Sequence, residues 1–157
     1  MNILVSHLES LTFLSFDMLK KEIDYCPDRL WYEKHGDFFF WQHILHALNG
    51  LLYWTATSQV KYEEPYPERK LYPELDHEPE SYLSKTEMKE IAGRAETQLH
   101  TFFASREDSW LTEKSLYDDE KIIMEIIGMQ LRHIQYHVGH CNCILREAKS
   151  IPVEWFD

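Results

Sequence analysis

The stretch Arg132-His133-Ile134-Gln135-Tyr136-His137-Val138-Gly139-His140-Cys141-Asn142 carries two messages in one period. Ile134 and Val138 belong to a longer apolar set, Ile122, Ile123, Ile126, Ile127, Leu131, Ile134, Val138, Ile144 and Leu145, spaced as the buried stripe of an α-helix. The same period stacks His133 and His137 one turn apart on a single face, near enough to share one metal ion. His140 continues the series, so at least two of the three histidines are expected to point inward. A buried imidazole is costly unless its nitrogens are satisfied, either by a metal ion or by hydrogen bonds to Tyr, Gln or backbone carbonyls. This helix is expected to run to about Lys149, with Asp118, Asp119 and Glu120 where a helix N-terminus favours negative charge.

Three further helices precede it. Ser84 and Glu87 stand in the Ser-x-x-Glu arrangement that caps a helix start, and Met88, Ile91, Ala92, Ala95, Leu99, Phe102 and Phe103 follow at helical spacing to an end near Arg106. Further back, Asp37 is the expected N-cap of a helix reaching about Ser58. Its main stripe is Trp41, Ile44, Leu45, Leu48, Leu51, Leu52 and Thr55, while Phe39, Ala47, Tyr53 and Trp54 make it apolar almost all round, as in a buried helix. The first helix spans Asn2 to about Lys21, with Leu4, Leu8, Leu11, Leu14 and Met18 as its stripe. Gln59 to Leu83 holds Pro65, Pro67, Pro73 and Pro79 and no period, which fits a long crossover that serves as a strap or a lid. Glu107 to Ser115 reads as a polar turn, and Trp155 and Phe156 in the tail are expected to fold back onto the helices. No strand period is present. The expected fold is all-α: a four-helix bundle with a long crossover between helices two and three, residues 1–157 forming a single domain.

Composition narrows the function. Sixteen Lys and Arg against 27 Asp and Glu give a net charge of -11, which repels nucleic-acid phosphates and anionic membranes. No apolar run is long enough to span a bilayer and no signal-like N-terminus is present, so a cytoplasmic location is expected. Cys26, Cys141 and Cys143 have no paired spacing of a disulfide framework and are expected as reduced thiols, Cys141 as a small packing residue. The aromatic content, five Trp included, suits a homodimer interface.

His43 and His46 offer a second pair, three apart. They lie on a second stripe with Phe39, Gly50 and Tyr53, away from the main one, and this face too is expected to be covered because the helix is apolar on nearly every side. One imidazole from here with two from the last helix gives three nitrogen ligands and leaves positions open for water or substrate. Spacing does not choose between His43 and His46.

The strings Trp41-Gln42-His43-Ile44-Leu45-His46-Ala47-Leu48 and Arg132 to His140 resemble the two signatures of the DinB/YfiT-like family of proposed metalloenzymes. The resemblance implies a four-helix bundle with a long second connection and, by position, His46, His133 and His137 as ligands of a divalent metal. The family pattern often has His where this chain has Tyr136, and Gln where it has His140. Tyr136 is then expected as a hydrogen-bonding group behind the ligands, and His140 as a packed core residue in preference to a fourth metal neighbour. Three neutral imidazoles suit Zn, Ni, Fe or Mn. Family members include transferases and isomerases that use low-molecular-weight thiols, so the resemblance implies a metal-dependent enzyme acting on a small-molecule substrate, a thiol-dependent S-transferase or isomerase, or a hydrolase if water takes the thiol's place. No catalytic residue beyond the ligands is specified; crossover acids such as Glu63 and Glu64 are candidates for a general base. The competing expectation is a non-enzymatic metal-binding or self-associating helical bundle.

Overall fold

The computed structural model describes residues 2–156. Four long helices dominate: α1 (Ile3–Tyr25), α3 (Phe40–Trp54), α4 (Lys85–Phe103) and α5 (Ile123–Glu147), with a single-turn α2 (Asp28–Trp31) between the first two. The fold is mostly helical. α1 packs against α4 and α5, and α3 packs against the same two helices, so the core lies among all four. No helix among the described residues is long and apolar enough to cross a membrane.

The start of α4 follows its sequence signal. Ser84 Oγ accepts from the Glu87 backbone N–H at 3.2 Å, and the Glu87 carboxylate accepts from the Ser84 N–H at 2.8 Å. Every apolar residue of its expected stripe is buried, although the helix stops at Phe103, short of Arg106. α3 starts differently from expectation. Asp37 is not its N-cap; it lies in a hairpin whose two-residue strands β1 (Lys34–His35) and β2 (Phe38–Phe39) pair antiparallel around Gly36, at φ +69°. The Gln42 side chain closes the first turn by accepting from Phe39 N–H at 2.9 Å. A period of two residues per strand is too short to read from sequence. At the other end α3 stops at Trp54 rather than Ser58, where Gln98 of α4 donates to the Leu52 carbonyl at 2.6 Å and to Thr55 Oγ1 at 2.9 Å.

On α1 the buried face is rotated from the expected one. Val5, Phe16, Met18, Leu19 and Ile23 are buried, whereas Leu4 and Leu11 are exposed and Leu8 and Leu14 half-buried. The helix has two adjacent apolar faces, and the one that wins carries Phe16 and Leu19 beside the small residues Thr12 and Ser15. Those admit α5 closely enough for Gln135 Nε2 to donate to Ser15 Oγ at 3.0 Å. One buried member of this face is a carboxylic acid. Glu22 is fully buried, neither oxygen has a hydrogen-bond partner among the described residues, and burial pushes its pKa up to about 8 despite the opposing charge of Arg146. Glu22 is therefore neutral at pH 7, as are the Cys26 and Cys141 thiols near it, pushed up by burial, Cys26 to about 12. Cys141 is a packing residue, and all three cysteines are unpaired.

The connection between α3 and α4 is irregular apart from a 3-10 turn at Pro67–Arg69, yet it is anchored. Leu71 and Leu83 are buried, and Trp31 Nε1 donates to the Leu83 carbonyl at 2.7 Å. Tyr66, Lys70, Tyr72 and Leu75 all take left-handed backbone conformations, a cost of roughly 1–2 kcal/mol for each such residue that the anchors offset. The segment 107–122 is not simply polar: a 3-10 turn buries Trp110 and Leu111. Asp118 pairs with Lys121 before the helix begins, and Glu125 is the acid at the α5 start, accepting from Ile122 N–H at 2.9 Å. In the tail Val153 is the anchor, bonded through both backbone groups to Asn142. Phe156 is half-buried under Lys21, but Trp155 is 70% exposed and does not fold back.

Candidate metal centre

The second stripe of α3 turns His43, His46 and Gly50, spaced three and four residues apart, toward α5. It brings His46 to His133 and His137, with ring centroids 4.8 and 5.0 Å away and the two α5 rings 4.8 Å from each other. One nitrogen from each ring lies within 4.8 Å of the other two. Nε2 of His133 and Nε2 of His137 are 3.2 Å apart. Two nitrogens at 2.0–2.1 Å from a tetrahedral ion are separated by about 3.3–3.4 Å, so this pair already has the spacing of a shared ion. His46 completes the set, one of its ring nitrogens lying within 4.8 Å of both.

The protonation states suit ligation. His46 Nδ1 is 2.6 Å from the Pro73 carbonyl oxygen, which can only accept, so Nδ1 carries the proton and Nε2 keeps its lone pair. Burial lowers the His133 pKa to about 4 and the His137 pKa to about 3, with neighbouring imidazoles adding to the effect. Both are neutral at pH 7; in the absence of an ion their Nε2 atoms share one proton in a hydrogen bond of 3.2 Å, which an ion would replace. Gly50 supplies the space. A Cβ there would lie 3.0 Å from His133 Cε1 and Nδ1 and 3.4 Å from Gln130 Oε1, so the His133 ring occupies the volume a side chain would fill. Convergent imidazole nitrogens and a cradle open only because residue 50 is Gly fit a borderline divalent ion such as Zn, Ni, Fe or Mn.

Beside the triad lies a cleft of about 740 Å³, lined by His46, Tyr53, Trp54, Met129, His133 and Tyr136, with Glu74, Gln130 and Arg132 as its polar members. Its size is that of a small-molecule site. The connection contributes directly here: Pro73 fixes His46, and Glu74, next in sequence, accepts from Asn49 Nδ2 at 2.9 Å. Glu63 and Glu64 are exposed and do not line this cleft; Glu63 contributes its backbone oxygen to Arg94 of α4. Glu74 was not legible from sequence, because no period places a residue in an irregular segment. Gly50 was: it stands four residues after His46 on the same stripe.

The remaining sequence candidates sit around the triad. His43 is buried, with both ring nitrogens lacking partners among the described residues, and burial followed by His140, His46 and His35 lowers its pKa to about 4. It stacks toward His140 and is not one of the three converging rings. His140 is exposed, which corrects the expectation of a packed core residue. Cys141, four residues after His137, takes the buried position, and His140 turns to the edge with its ring 4.3 Å from that of His43. Tyr136 is 68% exposed and meets His137 edge-on at 5.2 Å, with no hydrogen bond among the described residues, so it is a wall of the cleft and not a hydrogen-bonding group behind the ligands. Comparison with family models, curated proteins and solved structures returned no match to this chain.

Proposed function

We propose that the four long helices are a four-helix bundle of the DinB/YfiT-like kind, with residues 55–84 as its crossover, and that His46, His133 and His137 hold a divalent metal ion for catalysis. The reaction class that suits this centre is thiol-dependent S-transfer or isomerisation of a small molecule. The observation that carries the reading is the convergence of three imidazoles, two of which, His46 and His133, line a cleft. When bound, the ion supplies the Lewis acidity that lowers the pKa of a thiol or a water to near neutrality.

The chain's own residues have distinct parts in this scheme. Pro73 holds the His46 tautomer, and Gly50 admits His133. Tyr53, Trp54, Met129 and Tyr136 bind the apolar part of the substrate and exclude water from the reacting end. Glu74, held by Asn49, is the carboxylate of the cleft and the candidate acceptor for the proton released from the nucleophile.

The test is elemental analysis of protein purified without an affinity tag or chelator. About one equivalent of metal is expected in the wild type and much less in His46→Ala, His133→Ala and His137→Ala. Metal-free wild type would overturn the centre; metal without turnover of any thiol and electrophile in a broad panel would overturn the transferase. One observation favours a second reading, a self-associating bundle: Ile3, Leu4 and Leu11 are exposed on α1. Sedimentation of Leu4→Glu/Leu11→Glu against wild type reads it, with a dimer-to-monomer change expected.

A further inference from the structure

We propose that the cleft beside the triad selects a small molecule with an apolar, preferably aromatic, body and a terminal carboxylate, and that Arg132 is the residue that grips the carboxylate. The proposal rests on the metal-centre reading only for which end of the molecule reacts.

Three observations carry it. First, Arg132 lines the cleft and has no ion pair or hydrogen bond among the described residues. Four of the six arginines are held: Arg29 pairs with Glu33, Arg69 with Glu87, Arg94 holds the Glu63 carbonyl and Arg106 the Phe102 carbonyl, and of the two left without a partner among the described residues, Arg132 and Arg146, only Arg132 lines the cleft. With 27 acidic side chains in the molecule, a guanidinium left free at the rim of a cleft is available to a ligand. Second, neither nearby carboxylate reaches it: Glu74 turns one oxygen to Asn49, Glu125, which shares an adjoining groove with Arg132, turns one to the Ile122 N–H, and neither forms an ion pair with Arg132. Lys121 in that groove is paired with Asp118, which leaves Arg132 as the free cation there.

Third, the wall chemistry fixes the body of the ligand. Tyr53 and Trp54 meet edge to face at 5.1 Å, and Tyr53 is braced by Tyr62 and Tyr117, so the α3 wall is a supported aromatic surface. Met129 and Tyr136 line the cleft from α5. An apolar body lies between these walls, with one end at His46 and His133 and the other within reach of the Arg132 fork, whose geometry matches a carboxylate bidentately. The net charge of -11 disfavours anions at long range, so a local cation is what makes an anionic substrate acceptable.

The test uses chelated, metal-free protein and two probes of one shape, 3-phenylpropionate and 3-phenylpropanamide, titrated by calorimetry into wild type, Arg132→Gln and Arg132→Lys. The wild type is expected to bind the carboxylate about tenfold or more tighter than the amide. Arg132→Gln removes that preference without changing the amide affinity, and Arg132→Lys retains part of it. Equal affinities in wild type, no binding of either probe at millimolar concentration, or a preference that survives in Arg132→Gln overturns the proposal. Metal content measured on the same variants reads the centre separately: Arg132→Gln is expected to bind metal as wild type does, so failure of one reading leaves the other standing or falling on its own result. In metal-loaded protein, a carboxylate preference that is insensitive to Arg132→Gln would put the carboxylate on the ion and also overturn the assignment.

Discussion

Glu22→Gln isolates the electrostatic cost of one unpaired carboxylic acid buried in the core. Below pH about 4.5 the Glu22 carboxyl is protonated in both the folded and the unfolded chain and makes stability no more pH-dependent. Between 4.5 and about 8 the unfolded chain ionises it and the folded chain does not, so the unfolded state loses a proton that the native state keeps. Stability falls by about 1.4 kcal/mol per pH unit across that window, a cost of about 3 kcal/mol at pH 7 that levels off near 5 kcal/mol above pH 8. Gln has nearly the same shape and no charge to lose. Its own unpartnered amide costs about 1–3 kcal/mol, but at every pH alike. Urea unfolding of wild type and Glu22→Gln in chelator, at pH steps from 5 to 8, gives the difference between the two stabilities. That difference is expected to move in favour of the variant by several kcal/mol as the pH rises, with the titrating histidines common to both proteins cancelling. Two curves that stay parallel from pH 5 to 8 would show that Glu22 is hydrated or paired in solution and would refute the reasoning.

Two predictions address the metal centre. Gly50→Ala is expected to push the His133 ring out of place and weaken metal binding about 10–100-fold, the range seen when the support of a ligand is disturbed. The same change adds about 0.5–1 kcal/mol of intrinsic helix stability, so metal affinity and the melting temperature of the chelated protein should move in opposite directions unless the clash absorbs the gain; undiminished affinity would show that the ring adapts. His133 and His137, with pKa values near 4 and 3, are already neutral at pH 6, so zinc binding at that pH should release no proton from either, whereas imidazoles titrating at 6.5 would be mostly charged. Calorimetry in buffers of different ionisation enthalpy counts the protons, and release of more than about one would contradict the depressed values. The same depression makes the chelated fold lose stability as pH falls from 6.5 toward 4, because the unfolded chain takes up protons that the buried rings refuse.

Local chemistry made much of this protein legible from its residues. The Ser84–Glu87 cap and the α4 stripe are read correctly because both interactions span a single helical turn, and most of the α5 stripe follows for the same reason, with Ile122 just before the helix and Leu131 half-buried. His133 and His137 share a face by helical geometry alone. The α1 face was misread because two overlapping stripes satisfy the same period, and only contact with α4 and α5 decides between Leu11 outside and Phe16 inside. The Asp37 cap failed because a two-residue hairpin leaves no periodic trace. His140 lies 60° around the helix from His137, close enough to pass for a core position until Cys141 is seen to occupy it.

By itself, then, the sequence determined the long helices and the placement of two histidine pairs, since propensity, capping and period act over three or four residues. Which imidazole of α3 joins the pair on α5, and what supports it, only the tertiary structure decided. His46 meets His133 because α3 and α5 pack with Gly50 at the close approach. Its tautomer is set by a Pro73 carbonyl 27 residues away, in a segment whose path depends on anchors at Leu71 and Leu83 rather than on any local preference. Arg132 is equally a product of packing: its charge is written in the sequence, but its place on the cleft without an ion-pair partner is set by the tertiary structure, which turns Glu74 to Asn49 and Glu125 to the Ile122 N–H.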